Sequence, residues 1–137
     1  MNDAHGRAVP GQTRGMGELD DIGNRSFVQA PFGKALIELA ADRPDVIALT
    51  ADLGKYTDLL PFAAAFPERY FDVGMMEQQL VAMAAGLART GRTPYITTYG
   101  AFASRRAYDF IAMACAHSKL PVKIFAALPG LTTGHGG

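Results

Sequence analysis

Tryptophan is absent from this chain, cysteine occurs once and histidine three times in 137 residues. A single thiol excludes an intramolecular disulfide framework and a zinc site built on paired cysteines. Neither sign of charge is in excess, with 13 Lys and Arg against 13 Asp and Glu, which argues against a nucleic-acid-binding module and its basic surplus. No apolar run approaches the length of a membrane span, and Met1–Asn24 lacks the apolar core of a signal peptide. These features lead to the expectation of a cytoplasmic globular domain with neither a nucleic-acid nor a membrane partner. G-x-G-x-x-G, Walker A, H-E-x-x-H and nucleophile-elbow patterns are missing as well.

What the sequence does contain is uneven. The first 24 residues carry five of the 15 glycines and few large apolar side chains. Such a segment buries too little to offset its ordering entropy, so residues 1–24 are expected to form a flexible arm. Beyond it, hydrophobic residues dominate and two periods alternate. "APFGKALIELAADRP" has a helical spacing that must stop before Pro44, and "DVIALTADLG" is a short buried-strand pattern stopped by Gly54. "TDLLPFAAAF" follows as a helix with Thr57 as its candidate N-cap, then "RYFDVG" as a strand, then the Ala-rich helix "MMEQQLVAMAAGLART". "TPYITTYG" predicts a strand, "AFASRRAYDFIAMACAHS" one helix and "PVKIFAAL" a last strand. The alternation predicts an α/β fold with a mostly parallel sheet and helices on both faces.

Ligands of such sheets bind beyond the carboxyl ends of the strands. That rule selects Asp52-Leu53-Gly54, Gly74 to Glu77, Tyr99 to Phe102, and Pro129 to Gly137. Glu77 opens the most apolar helix, with Leu80, Val81 and Ala84 on its own stripe. A first-turn acid complementing the helix dipole explains it simply; a desolvated carboxyl that handles a proton is the functional alternative. Tyr99 and Phe102 bracket a strand-to-helix junction, where they either fill the core or stack on a planar ligand. Arg105 and Arg106 precede Asp109 at i,i+4 and i,i+3 spacing, which suits surface pairing, with a phosphate contact as the weaker reading. His117 suits a helix C-terminus and Cys115 a small buried hydrophobe.

Taken together, the strand-end segments resemble the pyrimidine-binding domain of the transketolase family of thiamine-diphosphate enzymes. "PERYFDVGMMEQQLVAMAAGLARTGRTPYITTYGAFASRRAYDFI" carries most of the likeness, supported by "ALTADLGKYTDL" and "KLPVKIFAALPGLTTGHGG". The resemblance covers roughly Phe32 to Gly137 and leaves the arm outside it. It implies that Glu77 contacts N1′ of the cofactor's aminopyrimidine, favouring the tautomer that activates the thiazolium C2. A ketose carbonyl is then attacked, and a two-carbon ketol unit passes to an aldose acceptor, between sugar phosphates. By the same matching Phe102 stacks on the aminopyrimidine with Tyr99 beside it, and Asp52 and Leu53 lie at the cofactor's edge. Arg105 and His135 are weaker candidates for substrate contacts.

The family's Mg²⁺–diphosphate motif, Gly-Asp-Gly followed by a distant Asn, is not in the sequence. No metal ligand is therefore assigned here, and the resemblance implies a partner chain or domain that holds Mg²⁺ and the diphosphate, in a homo- or hetero-oligomer. Residues 25–137 are expected to be the pyrimidine-binding domain, cut within its C-terminal glycine-rich loop, and inactive in isolation. The alternatives are a 1-deoxyxylulose-5-phosphate synthase-like enzyme, a β-like subunit of a 2-oxo acid dehydrogenase first component, and a non-catalytic interaction module.

Overall fold

The computed structural model describes residues 30–130. The predicted arm, most of "GLTTGHGG" and with it His135 lie outside the described residues.

Helix α1 (Pro31–Ala41) leads into strand β1 (Val46–Thr50), and α2 (Leu60–Ala65) with a short 3₁₀ turn (Pro67–Arg69) into β2 (Tyr70–Asp72). Helix α3 (Glu77–Arg89) then precedes β3 (Thr93–Tyr99), and a composite helix precedes β4 (Lys123–Ala127). All pairings are parallel, in the order β2-β1-β3-β4. The chain is therefore α/β, as the alternating periods predict.

Every residue of β1 is buried, because this strand is central and covered on both faces. Alternation divides the core in two. Val46 and Ala48 pack with Leu36, Leu59 and Phe62 on the α1–α2 side. Ile47, Leu49 and Ile96 pack with Leu80, Val81 and Ala84 on the α3 side. Cover on both faces holds for the centre of the sheet and not for its edges: Phe71 on β2 and Phe125 on β4 are 36% and 45% exposed.

Because β2 and β3 flank β1 on opposite sides, the chain reverses its direction of travel across the sheet after β2. Right-handed crossovers then place successive helices on opposite faces and open a crevice at the carboxyl ends of the central strands. Helix α3 is held in register at its far end. Gly91, at φ 86°, donates to Ala88 O and Arg92 donates to Leu87 O, a Schellman stop that requires the left-handed glycine.

Two local expectations are corrected. Thr57 does not cap α2, which begins at Leu60 with Pro61 in its first turn. Thr57 is instead buried, donating from Oγ1 to Leu53 O and sharing a 2.8 Å hydrogen bond with Thr97 Oγ1. The segment after β3 is not one α-helix. It runs as a π-turn (Phe102–Arg106), a short α-turn (Tyr108–Phe110) and a second π-turn (Ile111–Ala116). The i→i+5 bonds from Ala107 N to Phe102 O and from His117 N to Ala112 O define these wider turns. Cys115 is buried as expected, and burial pushes its thiol up.

Candidate functional site

The loop after β1 turns through Asp52, whose φ of 59° lies in the left-handed region that Asp tolerates better than most residues. Its N–H donates to Asp72 Oδ1 at 2.8 Å, and the same oxygen accepts the Gly74 N–H at 3.0 Å. One carboxylate oxygen thus ties the β1 loop to the β2 loop. Gly74, at φ 73°, turns the chain into α3. Leu53 is half-buried, and its carbonyl accepts the Thr57 hydroxyl. Tyr70, from β2, stands beside this corner: burial first, then the Asp72 and Asp52 charges, pushes its phenol up.

Glu77 is the first residue of α3, and its side chain is 2% exposed. Leu80, Val81 and Ala84 continue its stripe into the core. The helix N-terminus favours the carboxylate. A second group completes its surroundings. Arg106 Nη1 donates to Glu77 Oε1 at 2.9 Å and Oε2 at 2.8 Å, with its own side chain 44% exposed. This corrects the expectation that Arg106 pairs locally with Asp109. The π-turn swings Arg106 back over Phe102, its guanidinium carbon 4.2 Å from the ring centroid, so that it meets α3 instead.

Phe102 also stacks with Tyr99, their centroids 5.7 Å apart. Burial pushes the Tyr99 phenol up, with a smaller contribution from Tyr56, which keeps it a neutral hydroxyl. Gly100 lies against Pro129: a Cβ there would come within 3.3 Å of the proline's Cα and Cβ, so a larger residue would have to push Pro129 back by a few tenths of an ångström. Thr98, just before this junction, is 2% exposed, and its hydroxyl has no hydrogen-bond partner among the described residues.

The structure therefore brings Glu77, Tyr99 and Phe102 into one connected group at the carboxyl edge, through Arg106. Asp52 and Leu53 occupy the neighbouring loop, linked to the start of α3 through Asp72 and Gly74. Arg105 is exposed on the π-turn and joins none of these contacts. Arg106 and Asp72 are the members that sequence reasoning missed. The available signal for Asp72 was its place one residue before Val73-Gly74; for Arg106 there was none at helical spacing. Chemically, the group offers a buried carboxylate that takes planar N–H donors beside an aromatic face that stacks flat cations or rings.

Comparison with known proteins gives a consistent result. A family described as the transketolase pyrimidine-binding domain matches residues 28–137. The chain is 58% identical over 107 residues to an uncharacterised transketolase family protein of Sinorhizobium fredii, covering 78% of this chain and 31% of that protein. It is 42% identical over 106 residues to a transketolase C-terminal section of Methanocaldococcus jannaschii, covering 77% and 34%. It is 48% identical over 98 residues to a 1-deoxy-D-xylulose-5-phosphate synthase of Thermomicrobium roseum, covering 72% and 15%. Among solved structures, a split-gene transketolase described as an inactive β4 tetramer matches with a TM-score of 0.64 and 45% identity, over 69% of this chain and 32% of that one. The chain thus spans about a third or less of the length of these relatives.

Proposed function

The chain belongs to the transketolase family, as its pyrimidine-binding domain, and on that premise we propose that it is the pyrimidine-binding part of a thiamine-diphosphate enzyme that transfers a two-carbon ketol unit between sugar phosphates. The observation that carries this reading is Glu77: a carboxylate 2% exposed at the carboxyl edge of the sheet, facing a planar N–H donor that rests on Phe102. A carboxylate of that burial is expensive to keep and needs a donor. The Arg106 contact is a test of fit, since a flat, delocalised group with N–H in its plane satisfies both Glu77 and Phe102.

In this reading Glu77 holds a proton at N1′ of the aminopyrimidine, and its apolar stripe keeps water from competing. Phe102, backed by Tyr99, fixes the plane of the ring. Asp52 and Leu53, with Asp72 holding the loop, line its edge. Arg105, exposed beyond the ring, is assigned a substrate contact, and so is His135. When bound, the cofactor supplies the electron sink for breaking the substrate's C–C bond. The Mg²⁺ and diphosphate fall to a second chain or domain, and residues 25–137 serve as one unit of an oligomer. The split-gene and C-terminal-section descriptions of the relatives support that division.

The test is reconstitution. The purified chain with thiamine diphosphate and Mg²⁺ should show no ketol transfer, and adding a diphosphate-binding partner should restore it. Turnover by the chain alone would defeat the division of labour, and a complex without cofactor-dependent chemistry would favour a non-catalytic module. The 48% identity to a 1-deoxy-D-xylulose-5-phosphate synthase supports a second reading, which product analysis of the same reconstituted complex distinguishes.

A further inference from the structure

Arg106 meets the two groups that the proposed reading reserves for the aminopyrimidine. Its Nη1 donates to both Glu77 oxygens, at 2.9 and 2.8 Å, while its guanidinium lies 4.2 Å from the centroid of Phe102. A guanidinium and an aminopyrimidine share the features that matter here: each is flat and delocalised, donates N–H in its own plane and offers a face to an aromatic ring. A carboxylate only 2% exposed, with both oxygens engaged by one nitrogen, leaves little room for a second planar donor on the same ring. On the cofactor reading the two would compete for the same carboxylate and the same aromatic ring.

We propose, resting on the cofactor reading above, that Arg106 is a built-in stand-in for the aminopyrimidine: it covers Glu77 and Phe102 whenever no ring does, and withdraws when the ring binds. The physical reason for such a device is charge. A buried carboxylate left without a partner is strongly destabilising, so Glu77 needs a donor in both conditions. Arg106 can serve as the temporary one because its side chain is 44% exposed. Part of it is already hydrated, and swinging outward completes that hydration. The π-turn makes this geometry available, since it places Arg106 above Phe102 rather than beside Asp109. Ring affinity is then set by competition with a side chain of the same chain.

The experiment measures binding of 4-amino-5-hydroxymethyl-2-methylpyrimidine, the pyrimidine half of the cofactor, to the full chain by calorimetry. Arg106→Met should bind it about fivefold tighter than the unmodified chain, the size of one partly exposed planar-cation contact. Arg106→Lys, which keeps the charge but loses the plane, should fall between them. In the unmodified chain, saturating ring should move the ¹⁵Nε resonance of Arg106 to the position of a solvated arginine. That measurement decides the matter if Arg106→Met fails to fold. Equal or weaker binding by Arg106→Met, or an unmoved resonance at saturation, overturns the stand-in role while leaving the cofactor reading intact. Binding that Glu77→Gln and Phe102→Ala leave unchanged, or no binding to any of the proteins, overturns the cofactor reading and the stand-in with it.

Discussion

Two arginine–carboxylate pairs occupy opposite ends of the same sheet. At the amino end Arg43 grips Asp45 with a two-pronged contact, Nε to Oδ1 at 2.9 Å and Nη2 to Oδ2 at 2.7 Å, and Thr93 donates to the same carboxylate at 2.6 Å. At the carboxyl end Arg106 bridges the two oxygens of Glu77. The arginines are alike, 48% and 44% exposed, but the carboxylates are 31% and 2% exposed. Asp45 has water as an alternative partner and Glu77 does not. The first pair trims the entry to β1 and β3; the second encloses a buried acid at the carboxyl edge. An ion pair's meaning here is set by the burial of the acid and not by the length of the contact.

The largest expected effect separates the two ends by activity. In the reconstituted enzyme Glu77→Gln should lower the rate by about 10²-fold or more, the worth of a positioned proton-handling group, with the fold preserved by circular dichroism. Asp45→Asn should leave the rate unchanged. An equal loss from both changes would erase the distinction.

Stability gives the next contrast. Arg106→Met should cost about 2 kcal/mol in denaturant melts, below the cost of breaking a fully buried pair because the arginine is half hydrated. Arg43→Met should produce a much smaller shift, and one that shrinks further in high salt. A similar loss for both would show that burial of the acid is not what matters.

The pH dependence sharpens the lower pair. The Arg43 contact first, then the Thr93 hydroxyl, holds the Asp45 carboxyl well below the usual carboxylate range. A depressed acid stabilises the fold above its unfolded value, about pH 4, and that contribution fades as the pH falls further. Comparing acid melts of the unmodified chain and Asp45→Asn should show the two curves converging below about pH 4. Curves that stay parallel would remove the pair from the account.

The smallest effect concerns the hydroxyl of Thr98, buried without a partner among the described residues. Thr98→Val should be neutral or stabilise by about 1 kcal/mol, because a desolvated group is replaced by one of the same shape. A marked loss of stability would reveal a partner for it.

These contrasts also explain what was legible in the sequence. The strand and helix order could be read because each core layer is specified by short-range period: Val46–Thr50 as a continuous buried run, and Leu80, Val81 and Ala84 as a helical stripe. The position of Glu77 followed from that stripe and from Gly74. The pairing of Glu77 with Arg106 spans 29 residues and depends on a π-turn, which α-helical spacing cannot anticipate. Local arithmetic offered Asp109 as a nearer acid, and that choice was wrong. Thr57 failed for a related reason. Pro61 sets the start of α2 later than the polar residue suggested, and the hydroxyl found its partner on β3 instead.

The π-turn at Phe102–Arg106 has one more consequence, for how this segment tolerates changes of length. A wider turn accommodates one residue more than an α-turn between the same anchor points. Removing a residue between Phe102 and Arg106 would let the backbone relax to α geometry, with the rest of the helix and β4 unmoved in sequence order. The arginine would then follow Phe102 by three residues of an α-turn in place of four of a π-turn, which changes the angle at which it leaves the axis only modestly. Glu77 would meet the same donor from a different angle, without any change in the chemical identity of either residue. Within this domain, chain length at a single turn therefore sets the angle from which an arginine approaches the buried acid.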